Sequence, residues 1–267
     1  MKKNIGFIGC GKMASAIINA IKQQELYNVI GSEISSEIAQ SASERLGINV
    51  CCDNKKLVQE SDVVFIATKP NQVQNILKEI KDFVSDDKLI ISIAAGVKIS
   101  KIETALENSN THIIRVMPNT PALVKLGMFG ICGGKMAKDR DFNFVIQLLS
   151  SIGKCIQVEE NQMDIVTAIS GSGPAFFYQV IEDIARAGEK LGLDYEKSLT
   201  LATQTALGSA QMIFNRGEMP VQTLIDNVAT KGGCTFVGIQ EMKSEKSDEL
   251  FYNVIEKTTK KACELGK

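Results

Sequence analysis

The stretch GFIGCGKMA at 6–14 constrains this chain more than any other part of it. A strand-like run, NIGFIG, turns at Gly9, Gly11 and Ala14, spaced as GxGxxA, and passes straight into KMASAIINAIKQQ, whose apolar residues recur at helical spacing. In such a strand–turn–helix unit the first glycine makes the tight turn and the second lets the backbone approach a diphosphate. The helix N-terminus then offers unpaired N–H groups and the positive end of its dipole. A dinucleotide-binding βαβ unit is therefore expected at the N-terminus.

The following residues repeat that alternation. VIGSE, DVVFIAT, KLIISIAAG, HIIRVMP and GMFGICGG read as strands, and SSEIAQSASERLG, NQVQNILKEIKDF and SKIETALENSN as amphipathic helices between them. Strands alternating with helices imply a mostly parallel sheet covered on both faces. A helix, RDFNFVIQLLSSIG, and a strand, KCIQVE, would close this domain near residue 160. From Asp164 onward the patterns are helical throughout. Phe177, Val180, Ile181, Ile184 and Leu191 recur at helical spacing, and YEKSLTLATQTALGSAQMIFNRG is rich in small residues that let helix axes approach closely, within one chain or between two copies. The expected class is α/β, with a Rossmann-type dinucleotide-binding domain at 1–160 and an all-helical domain at 161–267.

Composition narrows the function classes. With 30 basic against 31 acidic side chains, the chain has no positive excess to recruit nucleic acid or an anionic membrane. No apolar run approaches the roughly 20 residues of a membrane helix, and MKKNIGFIGCGK does not read as a secretory signal. Neither nucleic acid nor membrane is an expected partner, and the expected location is cytoplasmic. Seven cysteines without CxxC spacing suit reduced thiols, and no metal site is expected. His112 is the one histidine and opens a buried strand, a structural position, so the chemistry must be carried elsewhere.

Selection between the two nicotinamide cofactors falls at the end of the second strand, in GSEISSE. Glu33 there could accept hydrogen bonds from adenosine ribose hydroxyls, as in enzymes that use NAD. Ser35 and Ser36 open the next helix, where hydroxyls and N–H groups could instead hold a 2′-phosphate. No arginine is nearby to decide, so the cofactor reads as NADP or NAD in its reduced form.

GFIGCGKMA, ATKPNQV, SIAAGV, RVMPNTPALV, SGSGPAFFYQVIEDIARAG and DNVATKGGCT, in this order over essentially the full chain, resemble the pyrroline-5-carboxylate reductase family. The resemblance implies a Rossmann domain followed by a helical dimerisation domain, and reduction of 1-pyrroline-5-carboxylate to L-proline by NADPH or NADH, the last step of proline biosynthesis. It also implies a homodimer, commonly grouped into decamers, with an active site in the cleft between the domains. By the same resemblance Ile8, Gly9, Cys10, Gly11, Lys12 and Met13 serve the cofactor diphosphate and Ser35 the adenosine end. Ala67, Lys69 and Pro70 line the ribose and nicotinamide, at the strand ends where open α/β sheets bind ligands. Ala94, Ala95 and Gly96 leave room under the nicotinamide ring. Pro118 and Pro121 stiffen the backbone around Asn119, which is expected at the cofactor. Glu160 corresponds to a position near the substrate amine, and Asn227 to one that reaches the cofactor.

The substrate implied is a small ring with one carboxylate and one C=N bond. A carboxylate can be held without lysine or arginine by successive N–H groups at a glycine-rich helix N-terminus. TKGGCTFVGIQEM offers one: Thr230, Gly232, Gly233, Cys234 and Thr235 are the expected substrate residues, with the Thr235 hydroxyl as catalytic partner of the ring nitrogen. Three positions depart from the family pattern. Lys231 stands where proline is usual, Thr230 where serine is common, and Cys234 where a small residue or threonine is usual. A dehydrogenase acting on 3-hydroxy acids is the enzyme alternative, but SGSGPAFFYQV shows no obvious catalytic lysine of the kind such enzymes use.

Overall fold

The computed structural model describes residues 2–107 and 110–266. Eight strands are present among them: β1 (Lys3–Ile8), β2 (Tyr27–Ser32), β3 (Asn49–Cys51), β4 (Val63–Ile66), β5 (Leu89–Ser92), β6 (His112–Met117), β7 (Gly127–Gly133) and β8 (Gly153–Gln157). They form one sheet in the order β3-β2-β1-β4-β5-β6-β7-β8. Every neighbouring pair is parallel except β6 and β7, which run antiparallel. Between them lie α1 (Lys12–Gln23), α2 (Ser36–Leu46), α3 (Asn54–Glu60), α4 (Pro70–Ile80), α5 (Ile99–Leu106) and α6 (Asp139–Leu149). The helical pattern expected at 100–110 thus ends at Leu106, and positions 108 and 109 lie outside the described residues.

Because side chains alternate across a strand, a sheet covered on both faces needs apolar residues at consecutive positions. In β4, Val63 and Phe65 join one core cluster with α1 and α6, whereas Val64 and Ile66 join a second with α3, α4 and α5. Phe7 and Phe65 stack with ring centroids 4.4 Å apart in the first cluster. His112 and Asp141 are both buried, with Nδ1 and Oδ2 2.6 Å apart, tying β6 to α6.

After β8 no strand occurs among the described residues. A short helix, α7 (Met163–Val166), runs into one π-helical turn at Thr167–Gly171. Four helices follow: α8 (Gly173–Lys190), α9 (Tyr195–Phe214), α10 (Val221–Val228) and α11 (Cys234–Ser244). The last, α12 (Ser247–Leu265), ends the described chain. The chain divides into a unit of residues 1–172 with 258–267 and a unit of 173–257. Residues 160–172 therefore pack with the sheet, as does the end of α12, which is distant from it in sequence. No helix among the described residues is long and apolar enough to cross a membrane.

Candidate cofactor and substrate loops

The carboxyl ends of β1, β2, β4 and β5 converge around the first glycine loop. Gly9 has φ +92°, and its N–H donates to Ser32 O at 2.9 Å. A Cβ there would come within 3.0 Å of Ala67 O and Thr68 Cγ2, so only glycine lets β1 turn this close to the end of β4. At Gly11 the opposite holds: nothing lies within 4 Å of an added Cβ, and the loop backbone is open to close approach. Gly11 caps α1 without a side-chain hydrogen bond, which leaves the first N–H groups of the helix without a side-chain acceptor.

Arg45, from α2, braces the loop from behind: Nη2 donates to Cys10 O at 2.8 Å and Nη1 to Ser15 Oγ at 2.5 Å. Glu33 Oε1 accepts the Cys10 N–H at 2.7 Å. The Cys10 thiol is pushed up to about 12, chiefly by burial and then by the Glu33 charge, so it is neutral and inert within the loop. Ser35 is the N-cap of α2, its hydroxyl accepting from Ile38 N–H at 3.4 Å. Thr68 Oγ1 is buried without a partner beside the same turn. A tight first glycine, open backbone at the second and an uncapped helix together fit the diphosphate of a dinucleotide.

Two cavities flank this edge. One, of about 430 Å³, includes Ile8, Gly9, Glu33 and Thr68 in its lining. The other, of about 610 Å³, includes Lys69, Pro70, Ala95, Gly96 and Leu265. Lys69 and Pro70 open α4, with Pro70 at its first turn. Ala94 is buried, and Gly96 has φ +75°, its backbone lying against Leu265 and Gly266 at the end of the chain.

Asn119 is buried and Glu160 half-buried. The Asn119 carboxamide accepts from Met128 N–H at 2.8 Å and donates to Ser170 Oγ at 3.3 Å, joining the MPNTP loop to SGSG. Glu160 Oε1 accepts from Ile99 N–H at 2.6 Å and lies 3.4 Å from Nη1 of the buried Arg115, whose Nη2 has no partner. Sequence reasoning missed Arg115, although a charged residue inside the apolar run HIIRVM was a signal. It also missed Asn54, which joins Ser32 Oγ, at 2.7 Å, to Glu79 Oε2, at 3.0 Å.

The second glycine loop joins α10 to α11 in the other unit. Gly233 N–H donates to Thr230 O at 2.9 Å, closing a turn over Lys231 and Gly232, and Gly232 has φ +83° with open space around it. Gly233 caps α11 without a side-chain hydrogen bond, and Cys234 and Thr235 are its first residues, both exposed. This loop repeats the local design of the first: a positive-φ glycine, an uncapped helix start and free N–H groups suited to a small anion. Asn227, in the last turn of α10, is exposed. Among the described residues no three His, Cys, Asp or Glu side chains could hold a metal ion together.

Residues 160–265 match the family described as pyrroline-5-carboxylate reductase dimerisation, and residues 4–96 match NADP oxidoreductase, coenzyme F420-dependent. A pyrroline-5-carboxylate reductase of Methanosarcina acetivorans is 38% identical, over 99% of this chain and 98% of the relative. Among solved structures, a pyrroline-5-carboxylate reductase of Coxiella burnetii is 32% identical over the whole of both chains, with a TM-score of 0.92. The pyrroline carboxylate reductase of Plasmodium falciparum, solved with NADP bound, is 33% identical over 99% of this chain and 98% of that one, with a TM-score of 0.86.

Proposed function

The chain belongs to the pyrroline-5-carboxylate reductase family, and on that premise we propose that it reduces 1-pyrroline-5-carboxylate to L-proline by hydride transfer from NADPH or NADH, the last step of proline biosynthesis. The observation that carries the reading is the loop at 230–235, a positive-φ glycine ahead of an uncapped helix, in a chain that already has a separate dinucleotide loop. Two anion-binding backbones suit one diphosphate and one carboxylate.

The N–H groups of Cys234 and Thr235 hold the substrate carboxylate at the α11 N-terminus, where dipole and donors coincide, and Gly233, whose own N–H closes the turn on Thr230 O, brings the backbone up to it. Thr230 and Gly232 shape the turn around it. Reduction of C=N adds a hydride to carbon and a proton to nitrogen, and the reduced nicotinamide supplies the hydride when bound. The Thr235 hydroxyl is the hydrogen-bond partner of the ring nitrogen and relays to it a proton taken up from water. Glu160, anchored by Ile99 N–H and Arg115, keeps a negative group for the substrate amine.

The dinucleotide is assigned to Ile8, Gly9, Cys10, Gly11, Lys12 and Met13 at the diphosphate, and to Glu33 and Ser35 at the adenosine end. Ala67, Lys69, Pro70, Ala94, Ala95, Gly96, Asn119 and Asn227 are assigned to the remainder. The apolar residues exposed on α8 and α9, such as Phe177 and Leu201, support a homodimer, and a pentamer of such dimers would make the decamer. All seven cysteines are free thiols, which supports a cytoplasmic location.

The test is oxidation of NADPH and NADH, followed in parallel with and without pyrroline-5-carboxylate. Substrate-dependent oxidation of at least one is expected. Absence of both would contradict the proposal.

A further inference from the structure

We infer that Glu33 makes this chain selective for NADH over NADPH, an inference that rests on the function proposed above and goes beyond it. In a dinucleotide-binding βαβ unit the adenosine ribose arrives at the carboxyl end of the second strand, where an acidic side chain accepts from its hydroxyls. Glu33 follows β2 directly. Its Oε1 is pinned by the Cys10 N–H at 2.7 Å, which orients the carboxylate at the glycine loop and leaves the second oxygen available for a ribose hydroxyl. The 430 Å³ cavity at this place is lined by Gly9, Glu33, Asn54 and Glu79 among others, and none of its lining residues is a lysine or arginine.

Each cation on the neighbouring α2 and α3 has a partner of its own. On α2, Arg45 is turned to Cys10 O and Ser15 Oγ, behind the loop. On α3, Lys55 lies over the Phe83 ring at 5.9 Å and Lys56 is 4.0 Å from Glu60. At the α2 N-terminus, the other place for a 2′-phosphate, the Ser35 hydroxyl already accepts the Ile38 N–H at 3.4 Å. On α4, Glu79 is held toward the cavity by Asn54 Nδ2 at 3.0 Å. A ribose diol would meet an oriented acceptor, whereas a 2′-phosphate would meet two carboxylates and no lysine or arginine in the cavity lining. The preference is opposite to the cofactor found with the Plasmodium falciparum relative.

The experiment is direct binding of NADH and of NADPH to the full-length wild-type protein, by calorimetry or nicotinamide fluorescence, repeated on Glu33→Gln and Glu33→Ser. In the wild type the Kd for NADH is expected to be at least about tenfold below that for NADPH, and each variant is expected to narrow that ratio by about tenfold. Glu33→Gln keeps the shape of the side chain and removes only its charge, so it guards against a folding defect in Glu33→Ser. Wild-type protein that binds NADPH as tightly as NADH, or folded variants with an unchanged ratio, would overturn the inference. Preferential NADH binding without oxidation by pyrroline-5-carboxylate would contradict the proposed reaction and leave this inference standing. Binding of neither dinucleotide would overturn both.

Discussion

The sheet unit and the helical unit treat their apolar residues in opposite ways. In the first, Phe7, Phe65, Phe129, twelve isoleucines and four valines are wholly inaccessible, distributed over both faces of the sheet. In the second, the buried residues of α8 and α9 are small, Gly173, Ala185, Ser198 and Ala202, and α10 and α11 bury none. Phe177, Tyr178, Leu201 and Phe214 stand more than half exposed. Small residues do pack the α8–α9 pair closely, since a Cβ at Gly188 would meet Ser198 Oγ at 2.5 Å. The large residues, whose burial would carry most of the hydrophobic stabilisation, stand instead on the outside of the pair. The sheet unit is thus a core in its own right, whereas the helical unit keeps its large apolar residues at its surface.

The largest expected effect belongs to the first core. Phe65→Ala should destabilise the protein by about 3–5 kcal/mol in denaturant titration, because a fully buried stacked ring leaves a cavity. A cost below about 1 kcal/mol would break the contrast from the sheet side. On the helical side, Phe177→Glu combined with Leu201→Glu should shift the light-scattering mass toward the 29.1 kDa of one chain. It should also abolish a rise in Tm with protein concentration of the wild type. In a monomeric protein such exposed positions would change stability by no more than about 0.5 kcal/mol and leave the mass unaltered.

Smaller effects are expected at the loops and thiols. Gly232→Val places a β-branched residue at φ +83°, a strain of about 1–3 kcal/mol, and should reduce activity more than it lowers Tm. Burial raises the thiols of Cys10 and Cys132 to about 12 and that of Cys155 to about 11, from an ordinary value of 9.0. Their folded-state values lie above the unfolded one, so their contribution is complete below pH 9 and declines as pH rises from 9 towards 12. Tm should therefore fall over that window, and Cys10→Ala should flatten part of the fall. At neutral pH a thiol reagent should label exposed Cys234 and Cys52 quickly and Cys10 and Cys132 slowly. Equal labelling rates would contradict the burial of Cys10 and Cys132 in the sheet unit.

Much of this arrangement is legible in the residues. GxGxxA after an apolar run predicts a tight turn and an open helix start, and Gly9 and Gly11 adopt those two roles. The pair Gly232–Gly233 likewise foretells a positive φ before α11. Less accessible are β3 and α3, because three strand residues and seven helical ones are too short for a period to register. The antiparallel direction of β7 is hidden as well, since a strand buried on both faces reads alike in either direction. Contacts across long separations leave no local pattern. Arg115 with Glu160, Glu33 with the Cys10 amide, and Gly96 against the end of the chain became visible only in three dimensions.

The central claim is a division of labour, with the first glycine loop for the dinucleotide and the second for the substrate. Thr235→Ala tests it most directly, with kcat for pyrroline-5-carboxylate reduction and dinucleotide Kd measured on the same preparation. A fall in kcat of about 100-fold, the lower range for loss of a positioned proton-transfer group, is expected with Kd within about twofold of wild type. Unchanged kcat, or a loss explained entirely by weaker dinucleotide binding, would contradict it.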